Sequence, residues 1–77
     1  NRANLESANI TNADLVYTLL INANLRNVNF SNSNLFGSNL KKAILNNTNF
    51  TNTNLRRVDF SGSNLEDAIN LEVIISD

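Results

Sequence analysis

The chain has no cysteine, histidine, tryptophan or proline, and only two glycines in 77 residues. Without cysteine there is no disulfide and no thiolate metal site, and nothing marks a redox compartment. Without histidine or cysteine, the side chains that most often serve as bases and nucleophiles are missing, so an enzyme would have to work with carboxylates alone. No carboxylate or amide cluster has metal-ligand spacing, so no cofactor, metal or small-molecule substrate is expected. The absence of proline suits a backbone whose amides must all be free to pair with a neighbouring segment. Charge is also sparse: the net value is −1 and the charged residues are scattered, which gives no long-range steering toward nucleic acid. No apolar run is long enough for a transmembrane helix, so no membrane partner is expected. The chain starts at Asn1 and not at methionine, so its N-terminus is expected to be processed, trimmed or left out.

What the chain does have is a strict period of five. Counting from Leu5 gives Ile10, Leu15, Leu20, Leu25, Phe30, Leu35, Leu40, Leu45, Phe50, Leu55, Phe60 and Leu65, all large and apolar. With 42% apolar residues overall, such a run arises by chance about once in a hundred thousand sequences, so the period is real. Two positions before each large residue stands a small one, from Ala3, Ala8 and Ala13 to Ser63 and Ala68, none bulkier than valine. Between them comes Asn or Asp, with Leu19 and Ile44 as exceptions. The five positions are named here small, amide, centre, first outer and second outer.

Five is neither the helical nor the strand period. Residues five apart drift around a helix, and on a flat strand they face opposite sides. A fixed inward direction every five residues requires the chain to turn a corner in each unit. Small and centre residues, two apart, then face inward from one short extended segment. The second outer position holds Asn12, Asn22, Asn27, Asn32, Asn47 and Asn52 and both glycines, Gly37 and Gly62. These residue types tolerate a left-handed backbone, so this column reads as the corner. A coil with an inward wall that pairs only with its neighbours is a solenoid. The period of five leaves the number of sides open: Ala8–Asn12, Val28–Asn32 and Thr48–Asn52 recur at twenty, while Asp59–Gly62 recurs at ten.

Ala13-Asp14-Leu15, Ala23-Asn24-Leu25, Ser33-Asn34-Leu35 and Val58-Asp59-Phe60 resemble the repeats of the pentapeptide-repeat family, and the likeness runs from residue 3 to about 68. The resemblance implies an all-β fold: a right-handed quadrilateral parallel β-helix with twenty residues per coil, hence about 3–4 coils here. On that reading residues 1–69 are the repeat domain. Residues 70–77 break the count, with Asn70 where a centre belongs, and form a C-terminal lid or a truncated end. The first coil has no capping segment, so upstream residues or another molecule are expected to cover its edge. An end-to-end homodimer is one way to do so.

The same four-sided reading turns Val16, Tyr17, Leu19 and Ile21 outward and stacks Phe36 beside Val16. An outward apolar cluster marks a contact surface, although solenoid walls also carry single apolar residues at little cost. Thr11, Ser31 and Thr51 form one outer column and Asn12, Asn32 and Asn52 the next, as hydrogen-bonding ladders between coils would require. Lys41-Lys42 and Arg56-Arg57 are placed to meet across a corner as a basic patch, read here as a solvated face with no aromatic interleaving for nucleic acid. Glu66-Asp67 is the sole adjacent carboxylate pair and is read as solvating, not catalytic. Asn-x-Ser/Thr triplets at Asn9, Asn29, Asn46 and Asn49 are mostly by-products of the repeat.

The family includes DNA mimics that bind type II topoisomerases through densely acidic rods. Here Glu6, Arg26, Asn46 and Glu66 share a column with mixed signs, so the likeness extends to fold and not to that surface. The function expected from these residues is a non-enzymatic scaffold or protein-interaction module, with topoisomerase inhibition or protection as the alternative.

Overall fold

The computed structural model describes residues 2–69. The backbone winds in circuits of twenty residues. Parallel pairings join Asn4 to Asn24 and Ile44, Asn9 to Asn29, Asn49 and Ile69, Asp14 to Asn34 and Asn54, and Leu19 to Asn39 and Asp59. We number the circuits coil 1 (residues 2–21), coil 2 (22–41), coil 3 (42–61) and coil 4 (62–69). Every pairing in these four columns is made by an amide-position residue, and each is a single residue pair. The chain bends before a second pair can form, so no strand of several residues exists among the described residues.

Three backbone bonds per unit tie one coil to the next. In the unit around Leu25, its N–H donates to Ile44 O at 2.9 Å, the N–H of Asn24 donates to Ala3 O at 2.8 Å, and the N–H of Asn27 donates to Asn46 O at 2.9 Å. Corners are closed by a turn bond from the small residue to the preceding centre, as from Val28 N–H to Leu25 O at 3.1 Å, whereas the N–H of Ala13 donates to Ser33 Oγ at 3.0 Å. The third residue of each turn lies in the left-handed region, as type II turns require. This holds at every second outer position from Arg2 (φ 58°) to Gly62 (φ 74°), including Ser7, Tyr17, Lys42 and Arg57, where the residue type gave no hint. The first outer N–H is the one N–H that neither the ladder nor the turn bond uses. The amide column supplies its acceptor: Asn24 Oδ1 takes the N–H of Arg26 at 3.1 Å and Asn34 Oδ1 that of Phe36 at 3.0 Å. This Asx turn is the physical reason for the Asn/Asp column.

Centre and small residues fill the interior. Leu25, Phe30, Leu35, Leu40, Leu45, Phe50 and Leu55 are fully buried, and Leu20 nearly so. Phe30 and Phe50 stack one coil apart, with ring centroids 5.7 Å apart and planes 2° from parallel. Leu5, Ile10, Leu15, Phe60 and Leu65 are half-buried, because among the described residues each has a centre residue stacked on one side only. Inside, small-position hydroxyls bond across coils: Ser33 to Ile10 O, Ser38 to Leu15 O and Thr48 to Leu25 O at 2.7 Å, and Thr53 to Phe30 O at 2.8 Å. The outer hydroxyls expected to ladder instead turn back within their own unit. Ser31 donates to Asn29 Oδ1 at 2.5 Å and Thr51 to Asn49 Oδ1 at 2.6 Å, since an Asx oxygen two residues back is nearer than the next coil.

Coil 4 departs from the pattern earlier than the residue count indicates, and then regains it. A 3-10 helix at Leu65–Asp67 displaces the chain, so Leu45 N–H takes Asn64 Oδ1 at 2.7 Å in place of a backbone carbonyl. Asn47 N–H reaches Asp67 O at 3.0 Å, one residue beyond the ladder's usual step. Ser63, beside this irregularity, has a buried hydroxyl with no partner among the described residues. Register returns at Ile69, whose N–H donates to Thr48 O at 2.9 Å. The expected lid or truncated end at 70–77 lies outside the described residues. At the other end, neither N–H nor C=O of Asn4, Asn9, Asp14 and Leu19 makes a backbone bond among the described residues.

Burial ranks the centre positions energetically. Leu25→Ala is expected to lower unfolding free energy by about 3 kcal/mol, and Leu5→Ala by clearly less. Denaturant midpoints that fall equally for both would contradict the burial gradient.

Candidate interaction surface

Three of the five residues expected on the outer surface are exposed: Tyr17 (68%), Leu19 (66%) and Val16 (37%). Ile21 and Phe36 are half-buried, so the outward position expected for them holds only in part. For Phe36 the cause is Tyr17, whose ring meets it edge-on with centroids 5.8 Å apart and planes at 81°. This is the favoured geometry of an aromatic pair.

The backbone ladder arranges the residues of this corner. Tyr17 N–H donates to Phe36 O at 2.9 Å, and Gly37 N–H donates to Arg56 O at 3.0 Å. The pairs Val16-Tyr17, Phe36-Gly37 and Arg56-Arg57 therefore rise one above another on a single corner. Gly37 (φ 70°) lets the tyrosine lie back against the coil, because a Cβ there would overlap the ring, with Cδ1 at 2.6 Å. The second glycine sits in the same relation to a long corner side chain, since a Cβ on Gly62 would meet Lys42 Cγ at 3.1 Å.

Leu19 occupies an amide position without an Asx oxygen. Accordingly, the N–H of Ile21 has no partner among the described residues. A leucine here forgoes a hydrogen bond that Asn would make and exposes apolar surface, so packing among the described residues does not explain it. Ile69 (42% exposed) is a third apolar substitution in the amide column, after Leu19 and Ile44. The sequence reading missed it because the period fails at the next residue. It lies in the Asn9–Asn29–Asn49 column, apart from the Tyr17 corner.

Of the four cations, Lys41 alone is held by a carboxylate among the described residues. Lys41 Nζ lies 3.8 Å from Asp59 Oδ2, in an exposed ion pair. Asp59 titrates below its ordinary value, chiefly because the Ser61 hydroxyl and backbone N–H donate to it, with Lys41 a smaller contributor. Arg56 and Arg57 are exposed and form no ion pair among the described residues. Glu66 and Asp67 are exposed on the 3-10 helix, where Asp67 Oδ2 accepts from Asn64 Nδ2 at 3.0 Å. No group of three or more His, Cys, Asp or Glu among the described residues could hold a metal ion, and no helix there is long and apolar enough to cross a membrane.

Compared with known families, the chain matches the model for pentapeptide repeats in eight copies, over residues 3–41 and 33–69. No curated protein matches it.

The contact between Tyr17 and Gly37 is open to a double-mutant cycle. Gly37→Ala is expected to destabilise by about 1–2 kcal/mol, combining the left-handed backbone with displacement of the ring. In a Tyr17→Asn background the steric part should vanish, leaving the smaller backbone part. Equal losses in both backgrounds would show that the ring does not rest on Gly37.

Proposed function

We propose, because the chain belongs to the pentapeptide-repeat family, that it is a non-enzymatic protein-interaction module whose contact surface is the corner around Tyr17 and Leu19. The family suggests a structural or interaction module, and the surface narrows this to interaction. On this reading the twenty-residue circuits form a right-handed quadrilateral parallel β-helix that acts as a rigid mount. The observation that carries the proposal is Leu19. It stands in a column of hydrogen-bonding residues, 66% exposed, beside the most exposed aromatic residue. Single exposed apolar residues are ordinary, but an apolar cluster built on adjacent corners of a rigid frame is the usual anatomy of a binding patch.

The repeat itself supplies a clean test. Asn is the usual amide residue and a favoured second outer residue, so Leu19→Asn with Tyr17→Asn removes the apolar surface and keeps the corner chemistry. The double variant is expected to keep its thermal stability and to lose partner capture in an affinity pull-down. Unchanged capture by the folded variant counts against the surface.

A second reading, self-association along the coil 1 edge, is favoured by the unpaired N–H and C=O groups of Asn4, Asn9, Asp14 and Leu19. Light scattering is expected to show dimers as concentration rises. A monomer at all concentrations removes this reading.

A further inference from the structure

We propose that the segment docking on the Tyr17 corner is an acidic, apolar peptide, with its apolar side chains on Tyr17 and Leu19 and its carboxylates on Arg56 and Arg57. This rests on the corner being a contact surface and adds the chemistry of the partner. The coil 3 margin of the patch carries positive charge. Arg56-Arg57 sits directly above Phe36-Gly37, held by the bond from Gly37 N–H to Arg56 O, and neither guanidinium is engaged by a carboxylate among the described residues. On the neighbouring corner Lys41 is held by Asp59 at 3.8 Å, while the exposed Lys42 forms no ion pair among the described residues. Positive charge from Arg56, Arg57 and Lys42 therefore borders the aromatic pair from coil 3, the exposed carboxylate of Asp14 lies beside Val16 in coil 1, and an approaching chain is oriented by this asymmetry.

Size argues for a peptide over a second copy of the chain. A stable dimer buries roughly 800 Å² on each partner, and three exposed side chains with two half-buried ones supply much less apolar surface than that. The aliphatic Leu19 and the edge-on tyrosine also suit leucine or phenylalanine side chains better than nucleobases, which need open ring faces. Tyr17 is a rigid anchor: its ring is backed by Gly37 and Phe36, so little side-chain freedom is lost on binding.

The test is an NMR titration of the isotope-labelled 77-residue chain with three probes. These are a short synthetic peptide alternating leucine with glutamate, its lysine counterpart, and oligothymidylate. Amide shifts are expected at Tyr17, Leu19, Phe36, Gly37 and Arg56 with the glutamate peptide alone, and its affinity should fall as salt rises. Arg56→Glu combined with Arg57→Asn, which keeps a residue suited to the left-handed corner, should weaken that binding about tenfold, the scale of two exposed charge contacts. Circular dichroism of this variant should match that of the parent. Equal binding of both peptides at the corner, unaffected by the arginine variant, overturns the acidic partner and leaves the contact surface standing. Shifts produced at these residues by oligothymidylate overturn it in favour of nucleic acid. Silence with all three probes overturns it too, and the contact surface is then judged separately by the pull-down with Leu19→Asn and Tyr17→Asn.

Discussion

Once in every five residues, the backbone of this chain is forced into the left-handed region. Most residue types enter that region at a cost of about 1 kcal/mol or more. Here it is entered at thirteen successive corners, eleven of them without glycine. The corner survives because its N–H groups find acceptors in most units. The turn bond closes it from inside, the corner N–H bonds to the next coil, and the Asx oxygen takes the N–H that remains. Remove the bend and the centre residues no longer point one way. The core, the hydroxyl bonds between coils and the surface columns all depend on it.

Much of this could be read from residue order. Size alternation alone identified the centre column, and the Asn/Gly column located the corners, because those types adopt positive φ most easily. The corners at Arg2, Ser7, Tyr17, Lys42 and Arg57 carry no such signature, since the ladder imposes the conformation on whatever residue stands there. The inner role of Ser33, Ser38, Thr48 and Thr53 was also hidden. Their size qualified them as small residues, but their hydrogen bonds appear only once the neighbour twenty residues away is known. The 3-10 helix at Leu65–Asp67 was illegible for a related reason: Leu65 keeps the count while the backbone around it does not.

The corner around Tyr17 shows both what periodicity reveals and what it hides. Counting in fives turned Val16, Tyr17, Leu19, Ile21 and Phe36 outward. It could not indicate that Tyr17 covers Phe36, or that Gly37 is where the ring comes to rest. Those facts depend on which residue stands above which. The same relation separates Arg56 and Arg57, free above the aromatic pair, from Lys41, which is held by Asp59.

Two rhythms therefore run through one chain, and they tolerate insertion and deletion differently. A gap of five between residues 30 and 37 would keep every inward side chain inward, yet bring Lys42 over Tyr17 in place of Gly37 and Leu55 over Phe30 in place of Phe50. A gap of twenty keeps every residue in its own column, although removing residues 18–37 would set Arg57 over Tyr17. Change of length by whole circuits thus preserves the column each residue belongs to, while change by single quintets moves every later residue into the next column behind an intact hydrophobic pattern.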